Sequence, residues 1–217
     1  MSKPGTNQVD IAIRPDGVAV VTLDHFPLNT LSNALMLGIE DAADKIMQDK
    51  SVRGVVVQGA GTKAFCAGAD VVDLNKKHAR SPKKNFTQYF EALNVPVVAA
   101  IRGFALGGGL ELALSCHYRV ISADGTVGLP EVNIGLLPGG EGTQRLPRLV
   151  GPKAAMDLML SGEHVPAAAA LKMKVVDAVV GPNDVLEQAV ALALRMATEN
   201  PGNKGRRISE VSAIRVG

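Results

Sequence analysis

Residues 97–122 read VVAAIRGFALGGGLELALSCHYRVIS, and this stretch decides the fold class. The apolar run Val97–Ile101 predicts a buried strand, and Leu110–Leu114 predicts a helix. Three consecutive glycines, 107–109, precede that helix, and Tyr118–Ser122 predicts a second strand. A strand, a glycine turn, a helix and another strand in this order are typical of an α/β fold.

The segments on either side continue the alternation of strands and helices. Val9–Ile13 and Val18–Leu23 predict a hairpin, because the intervening Pro15-Asp16-Gly17 is a turn sequence. Ser32 predicts the N-cap of a helix with apolar residues spaced by about 3.6 positions. Further strands are predicted at Gly54–Val57, Val127–Leu129 and Val175–Val180, and further helices at Phe86–Leu93, from Gly142 to about Val150, at Lys153–Leu160, at Ala167–Lys172 and from Asp184 to about Thr198.

Composition excludes several classes of protein. The 217 residues are 47% hydrophobic and 20% charged, which indicates a globular chain with a sizeable core. A net charge of +2 and 3% aromatic residues argue against nucleic-acid or membrane-surface binding. Two cysteines cannot form a disulfide framework, so we expect a reduced chain. The sequence lacks an apolar run of about 18 residues and an N-terminal secretory signal, so no membrane partner is expected.

The segment from Gly107 to Glu111 is the strongest candidate for chemistry. Glycines that precede a helix expose backbone N–H groups at its N-terminus, where anionic oxygen binds. Glu111 follows Gly108 by three residues, so its carboxylate can share that face of the helix. Such a pair suits proton transfer beside a developing oxyanion. The structural alternative is a tight crossover with an acidic residue favoured by the helix dipole.

Two further segments are weaker candidates. Residues 65–70, FCAGAD, form a second glycine turn after a predicted strand, and Pro130-Glu131 are expected to end a short strand before the Gly/Pro loop 135–140. The alternatives are an ordinary βα turn and a capping carboxylate. Residues 59–64 match a dinucleotide-binding pattern, but Gly68 interrupts the helix that the pattern requires. The four histidines lack the spacing of metal ligands, so no metal site is predicted.

Taken together, residues 64–70, 103–111 and 130–146 resemble the three signature segments of the enoyl-CoA hydratase/isomerase (crotonase) family. The resemblance covers about residues 9–198, and it is greatest to the hydratase portion of multifunctional fatty-acid β-oxidation enzymes. It implies a crotonase-type spiral of repeated ββα units, with the usual C-terminal helical region shortened or absent. On this basis residues 1–198 form the catalytic domain, and 199–217 form a polar tail, either flexible or a truncated link to a missing C-terminal region.

The resemblance also implies residue roles. Ala69 and Gly108 match the two backbone N–H donors of an oxyanion hole that holds the thioester oxygen. Glu111 and Glu131 match the two catalytic glutamates, and Gly139 matches a backbone N–H that helps to hold water. Ala69 and Gly108, together with Asp70, are also expected to bind substrate.

These roles imply the syn addition of water across the 2,3 double bond of a trans-2-enoyl-CoA, giving 3-hydroxyacyl-CoA in β-oxidation. The same pair of glutamates supports a 3-enoyl to 2-enoyl isomerisation. The alternatives are another crotonase-type acyl-CoA isomerase and a non-catalytic CoA- or RNA-binding relative. No cofactor is expected, because CoA is part of the substrate.

The assembly and location implied by the resemblance depend on the kind of relative. A stand-alone member would form a homotrimer or hexamer, whereas a fragment of a multifunctional enzyme would be a monomer or part of a larger chain. A bacterial protein would be cytoplasmic, and a eukaryotic one peroxisomal.

Overall fold

The computed structural model of the chain describes residues 8–73, 76–199 and 207–211. Within these ranges the strands are β1 (Val9–Ile13), β2 (Val18–Leu23), β3 (Gly54–Gly59), β4 (Ala64–Cys66), β5 (Val97–Ile101), β6 (Phe104–Leu106), β7 (Tyr118–Ser122), β8 (Thr126–Gly128), β9 (Val165–Pro166) and β10 (Ala178–Val180). The α-helices are α1 (Asn33–Gln48), α2 (Thr87–Glu91), α3 (Gly108–Ser115), α4 (Gly142–Val150), α5 (Pro152–Ser161), α6 (Ala167–Lys172) and α7 (Val185–Glu199), and 3₁₀ helices span Pro130–Ile134 and Ile208–Glu210. Across these ranges, no helix has both the length and the apolar character needed to cross a membrane.

The larger sheet has the order β1-β2-β3-β5-β7-β10 among the described strands. The hairpin β1–β2 is antiparallel, as predicted, and the other neighbours are parallel. Val55 and Val57 of β3 pack in the main core, whereas Val56 packs in a second cluster that includes residues of α7. Both faces of this sheet are therefore covered, which explains the uninterrupted apolar runs of its parallel strands.

In a second sheet, the strands β4, β6 and β8 directly follow β3, β5 and β7 of the first. Its order is β4-β6-β8-β9 in the described part of the chain, with β4, β6 and β8 parallel. Gly103, with a φ of +68°, turns the chain from β5 into β6, and an added Cβ there would collide with the Lys63 carbonyl. The order β5, β6, α3 is one ββα unit. The expected α/β architecture and its repeat are thus confirmed, and they bring successive turns to one region.

Three predicted boundaries were wrong. Strand β10 begins at Ala178 rather than at Val175. After α6, the N–H groups of Val175 and Val176 bond back to the Ala170 carbonyl within that helix and not to a neighbouring strand. Helix α3 begins at Gly108 rather than Leu110. Pro130-Glu131 do not end a strand: they open the 3₁₀ helix after β8, where a proline fits the first helical position because its missing N–H is not needed.

Part of the predicted tail lies on the core. Glu199 is the last residue of α7, and Ile208 is 1% exposed within the main hydrophobic cluster. The Ser209 N–H donates to Glu91 Oε1 at 3.3 Å. Either a flexible tail or a link to a missing region was expected from the sequence, but 207–211 contact the core of their own chain through an apolar side chain and a backbone donor. Residues 200–206 and 212–217 lie outside the described ranges, so the proposed domain division stays a prediction.

Candidate active site

The N-terminus of α3 and the glycine turn after β4 face each other. Gly107 caps α3 with φ +53° and ψ −128°, and Gly108 is the first helical residue, whose N–H has no acceptor within the helix. A Cβ added to Gly68 would lie 3.5 Å from the Gly108 nitrogen, and one added to Gly108 would lie 3.8 Å from the Ala69 nitrogen. The two backbone donors therefore border one space.

A short parallel bridge sets the direction of the Ala69 N–H. Leu31 donates its N–H to the Gly68 carbonyl at 2.8 Å and accepts the Asp70 N–H at 3.3 Å. In a parallel bridge of this kind, the residue between the two bonded groups directs its own N–H to the opposite side. The Ala69 donor consequently points away from Leu31.

Glu111 lies one turn into α3 and is 2% exposed. Its Oε1 accepts the N–H groups of Gly140 at 2.8 Å and Gly142 at 2.7 Å. Neither glycine could carry a side chain here, because a Cβ at either position would lie within 3 Å of a Glu111 carboxylate oxygen. Gly140 of the loop and Gly142 at the start of α4 therefore bind one oxygen of Glu111 and fix the orientation of the carboxyl group.

The pKa of Glu111 is raised to about 7: burial is the largest cause, the two N–H donors oppose it, and the like charges of Glu131 and Glu141 add to it. A carboxyl group with this pKa exchanges protons readily at neutral pH, as a general acid or base must.

Glu131 approaches the same space from the 3₁₀ helix. Its Oε1 lies 3.0 Å from the position of a Cβ at Gly107, so a side chain at residue 107 would displace it. Its Oε2 is buried and has no hydrogen-bond partner among the described residues. Burial raises the pKa of Glu131 as well. A buried carboxylate oxygen without a hydrogen-bond partner, close to a second carboxylate, favours protonation of one of the two carboxyl groups.

The structure thus brings together four of the predicted site residues: Ala69, Gly108, Glu111 and Glu131. Gly139 lies beside this group, on the exposed side of the loop, and its carbonyl accepts the Asn85 side-chain amide at 3.4 Å. Their roles in catalysis stay predictions.

The Asp70 side chain is engaged in its own turn. Its Oδ1 accepts the N–H groups of Val72 and Asp73 at 3.0 and 3.2 Å, and Thr30 Oγ1 donates to its Oδ2 at 3.4 Å. The structure therefore gives this carboxylate a local role in shaping the turn beside Ala69, and its contact with substrate stays a prediction.

The donors that hold Glu111 were not predicted from the sequence. Gly140 and Gly142 flank Glu141 in the stretch GGEG, which we had interpreted as a Gly/Pro loop. The pair of glycines was the available signal for exposed N–H donors. The sequence does not indicate that their acceptor is a carboxylate 29 and 31 residues earlier in the chain. The ring of Phe86 was also missed, and its Cζ lies 3.6 Å from a Cβ position at Gly108.

A family model described as "Enoyl-CoA hydratase/isomerase" matches residues 14–206. The chain belongs to the enoyl-CoA hydratase/isomerase family. The resemblance found in the three glycine-containing segments is therefore confirmed, and the residues that face one another in the structure are the ones that carried it.

Curated relatives of this family member are longer proteins. The chain is 42% identical over 191 residues to a peroxisomal bifunctional enzyme of Cavia porcellus, covering 85% of this chain and 26% of the relative. It is 46% identical over 192 residues to a fatty acid oxidation complex subunit alpha of a Shewanella species, covering 83% and 27%. The chain spans about a quarter of the length of these curated relatives.

Solved structures of the family share the fold. An enoyl-CoA hydratase from Bacillus anthracis is 32% identical and superposes with a TM-score of 0.82, over 88% of this chain and 77% of that one. An enoyl-CoA hydratase from Mycobacterium tuberculosis is 31% identical with a TM-score of 0.82, over 91% and 78%. The crotonase-type spiral is the fold of this family member.

Proposed function

We propose that this chain hydrates the 2,3 double bond of a trans-2-enoyl-CoA to give a 3-hydroxyacyl-CoA in fatty-acid β-oxidation. The observation that carries the proposal is the meeting of two carboxyl groups, the buried Glu111 and the half-buried Glu131, beside the convergent N–H groups of Ala69 and Gly108. Family membership supports an acyl-CoA substrate, and relatives from fatty-acid oxidation enzymes support the pathway.

The two N–H groups stabilise the charge that develops on the substrate. When the water oxygen bonds to C3 of the enoyl thioester, the electrons of the double bond move toward the thioester oxygen. Two fixed donors at that oxygen stabilise the enolate, and one such donor is worth about 10²–10³ in rate. Gly108 also gains from the partial positive charge at the N-terminus of α3.

The two glutamates move the protons. One carboxylate removes a proton from the attacking water, and the other, protonated, delivers a proton to C2 as the enolate collapses. Each role is worth about 10²–10⁴ in rate. Because Glu131 raises the pKa of Glu111, the pair favours sharing one proton, which is the state that this exchange requires. The two carboxyl groups and two N–H groups complete the chemistry, so we propose that no cofactor takes part.

The test is the loss of absorbance of a conjugated enoyl thioester such as crotonyl-CoA when the protein is added. Hydration removes the conjugation, and the product is identified as 3-hydroxybutyryl-CoA by mass spectrometry. A chain that binds crotonyl-CoA in calorimetry but changes the absorbance of neither crotonyl-CoA nor a 3-enoyl-CoA would instead be a non-catalytic binding relative.

Isomerisation is the second candidate, because a pair of proton-transfer groups beside an oxyanion hole can also remove a proton from C2 and return it at C4. A 3-enoyl-CoA substrate tests it: isomerisation produces the absorbance of the conjugated thioester. The ratio of the two rates assigns the main activity.

We also propose how the chain is assembled and located. The two alternatives of the sequence analysis stand: a trimer or hexamer of stand-alone chains, or one part of a larger chain. The longer relatives support the second. Sedimentation equilibrium decides whether the chain by itself is monomeric. Cytoplasmic location fits the bacterial relatives and peroxisomal location fits the mammalian one, and fluorescence tagging in the source cell distinguishes them.

A further inference from the structure

The loop that grips Glu111 has an unusual backbone. Glu141 lies between Gly140 and Gly142 with a φ of +72°, in the left-handed region that residues with a side chain rarely adopt. A left-handed residue flanked by glycines directs successive N–H groups to one side, which creates a concave anion-binding site. Here the anion is the Glu111 carboxylate, whose Oε1 accepts both glycine N–H groups.

The Glu141 side chain is held from three directions. Its Oε2 accepts Arg145 Nη2 at 2.6 Å and Thr87 Oγ1 at 3.2 Å, and its Oε1 accepts Gln88 Nε2 at 2.9 Å. Such contacts are what keep a strained backbone conformation in place. The conformation that aims the two N–H groups is therefore fixed by the partners of this side chain.

Arg145 is the centre of this arrangement. It is 2% exposed, and its two terminal nitrogens bind different carboxylates: Nη1 binds Glu91 of α2 at 2.5 Å, and Nη2 binds Glu141 at 2.6 Å. Opposite charge at these distances lowers the pKa of both carboxyl groups and raises that of Arg145, even though burial opposes each shift. A planar guanidinium can bridge two carboxylates at once, whereas an ammonium group is a single point charge.

We propose that Arg145 is a positioning residue for Glu111: by clamping Glu141 to α2, it fixes the left-handed turn whose two N–H groups orient the Glu111 carboxyl group. Arg145 acts through Glu141 and does not itself bond Glu111. The expected effect of Arg145 on turnover rests on the proposed function, whereas its expected effect on the orientation of Glu111 does not.

The charged and titratable groups near Arg145, Glu91 and Glu141 determine which groups contribute to a titration of Glu111. Glu131 from the 3₁₀ helix and Glu141 from the loop face Glu111 as like charges. Cys116 at the end of α3 faces Arg145, and His117 faces Glu91 and Arg207. Burial holds the pKa of His117 at about 4 and that of Cys116 at about 12, so neither titrates near that of Glu111.

Two variants weaken the contacts of Arg145 with Glu91 and Glu141, which we call the clamp. Both variants leave the hydrogen-bond acceptors of the neighbouring residues in place. Arg145→Lys keeps the charge but cannot bridge both carboxylates. Glu91→Gln removes one of the two carboxylates, retains the acceptor for Ser209, and lies outside the groups that act on Glu111. Arg148→Lys is the matched control, because among the described residues the Arg148 side chain of the same helix donates only to Gln144.

The first measurement does not need activity. The Glu111 carboxyl carbon is followed by ¹³C NMR as pH is varied, and its resonance is assigned by its absence in Glu111→Gln. We expect both clamp variants to raise the pKa of Glu111 above the parental value, because weaker N–H bonds stabilise its carboxylate less. The control should titrate as the parent does. A parental pKa in both clamp variants would show that Arg145 does not position Glu111, whatever the turnover.

The second measurement is the pH profile of hydration. In Arg145→Lys we expect kcat to fall about 10- to 100-fold, as a displacement of about 1 Å at a catalytic group can produce, with KM within about threefold of the parent. Melting curves test whether each variant is folded. If Arg145→Lys is unfolded, the comparison with the parent rests on Glu91→Gln. If the parent shows no hydration but the titration shifts, the proposed function is wrong and the positioning role stands. A parental kcat together with a shifted titration would overturn the link to catalysis.

Discussion

Glu111 combines burial with two backbone donors on a single oxygen. Both donors bond to Oε1, and Oε2 has no hydrogen-bond donor among the described residues. A proton would therefore be exchanged at Oε2, with the geometry of the group fixed through Oε1. Glu131 is only half-buried, and neither Gly140 nor Gly142 donates to it, so the pair has unequal surroundings, as acid–base pairs require.

Glu111→Gln and Glu131→Gln should each lower the hydration rate by about 10²–10⁴-fold, because a carboxamide cannot exchange the required proton. Steady-state assays with crotonyl-CoA measure the loss, and circular dichroism checks the fold. Glu187→Gln is the control, since Glu187 is exposed and pairs only with Arg14 among the described side chains. Near-parental turnover in either variant would remove that glutamate from the mechanism.

Gly108 is predicted to tolerate no bulky side chain. A Cβ there would lie 2.7 Å from Leu31 Cδ1 and 3.8 Å from the Ala69 nitrogen, so the methyl groups of valine would enter the space between the two donors. We expect Gly108→Val to lose thioester binding, measured by calorimetry with a substrate analogue, while its circular dichroism spectrum stays parental. Parental affinity in this variant would place the oxyanion site elsewhere.

At the scale of the elements, the 3₁₀ helix at Ile208–Glu210 joins the end of the described chain to the catalytic region. Ile208 is buried in the main core, and Ser209 bonds to Glu91, which also binds Arg145. The segment therefore packs on the same supports that hold the loop of Glu111.

Ile208→Ala should lower the free energy of unfolding by about 2–4 kcal/mol, as truncation of a buried isoleucine does. Urea denaturation measures the change. Val211→Ala is the matched control, since that side chain is 37% exposed and its truncation should cost much less. Equal effects of the two variants would mean that 207–211 does not pack on the core in solution.

At the scale of the whole molecule, the pKa of Glu111 links the proposed catalysis to stability. Its value is about 7 in the folded chain, against 4.5 for an unperturbed glutamate. Between these two values the folded state binds more protons than the unfolded state, so stability falls as pH rises through this window and stays lower above it. The burial of Glu111 therefore costs stability at neutral and higher pH.

Glu111→Gln removes this cost because a carboxamide stays neutral. Relative to the parent, we expect the variant to gain on the order of 3 kcal/mol of unfolding free energy between about pH 4.5 and about pH 8, from 1.36 kcal/mol per pKa unit. Urea denaturation of both proteins at the two pH values measures the gain. Titrating groups that do not interact with Glu111 are common to both proteins and cancel in the comparison, whereas Glu131 and Glu141 act on Glu111 as like charges and contribute to the difference. A gain that does not depend on pH would contradict the raised pKa.

The sequence by itself determined most of the element types and, through the resemblance of three segments, the family and its ββα repeat. The short strands β4, β6 and β9 were missed. Turn chemistry at 15–17, apolar spacing in α1 and the glycines before α3 are local signals, and each predicts its own few residues. The four residues now found together were also identified from sequence, because each stands in a short segment that resembles the family's signatures. Boundaries such as those of β10 were missed, since the Ala170 carbonyl that captures Val175 and Val176 depends on how α6 packs.

Only the tertiary structure decided what holds the site together. The acceptor of the Gly140 and Gly142 N–H groups is 29 and 31 residues away, and Arg145 reaches 54 residues back to Glu91. Hydrogen bonds and ion pairs of this kind leave no periodic trace in a sequence, because they depend on where the sheet brings separate loops. The raised pKa of Glu111 and the docking of Ile208 have the same origin: burial is a property of the folded chain and is absent from any single segment.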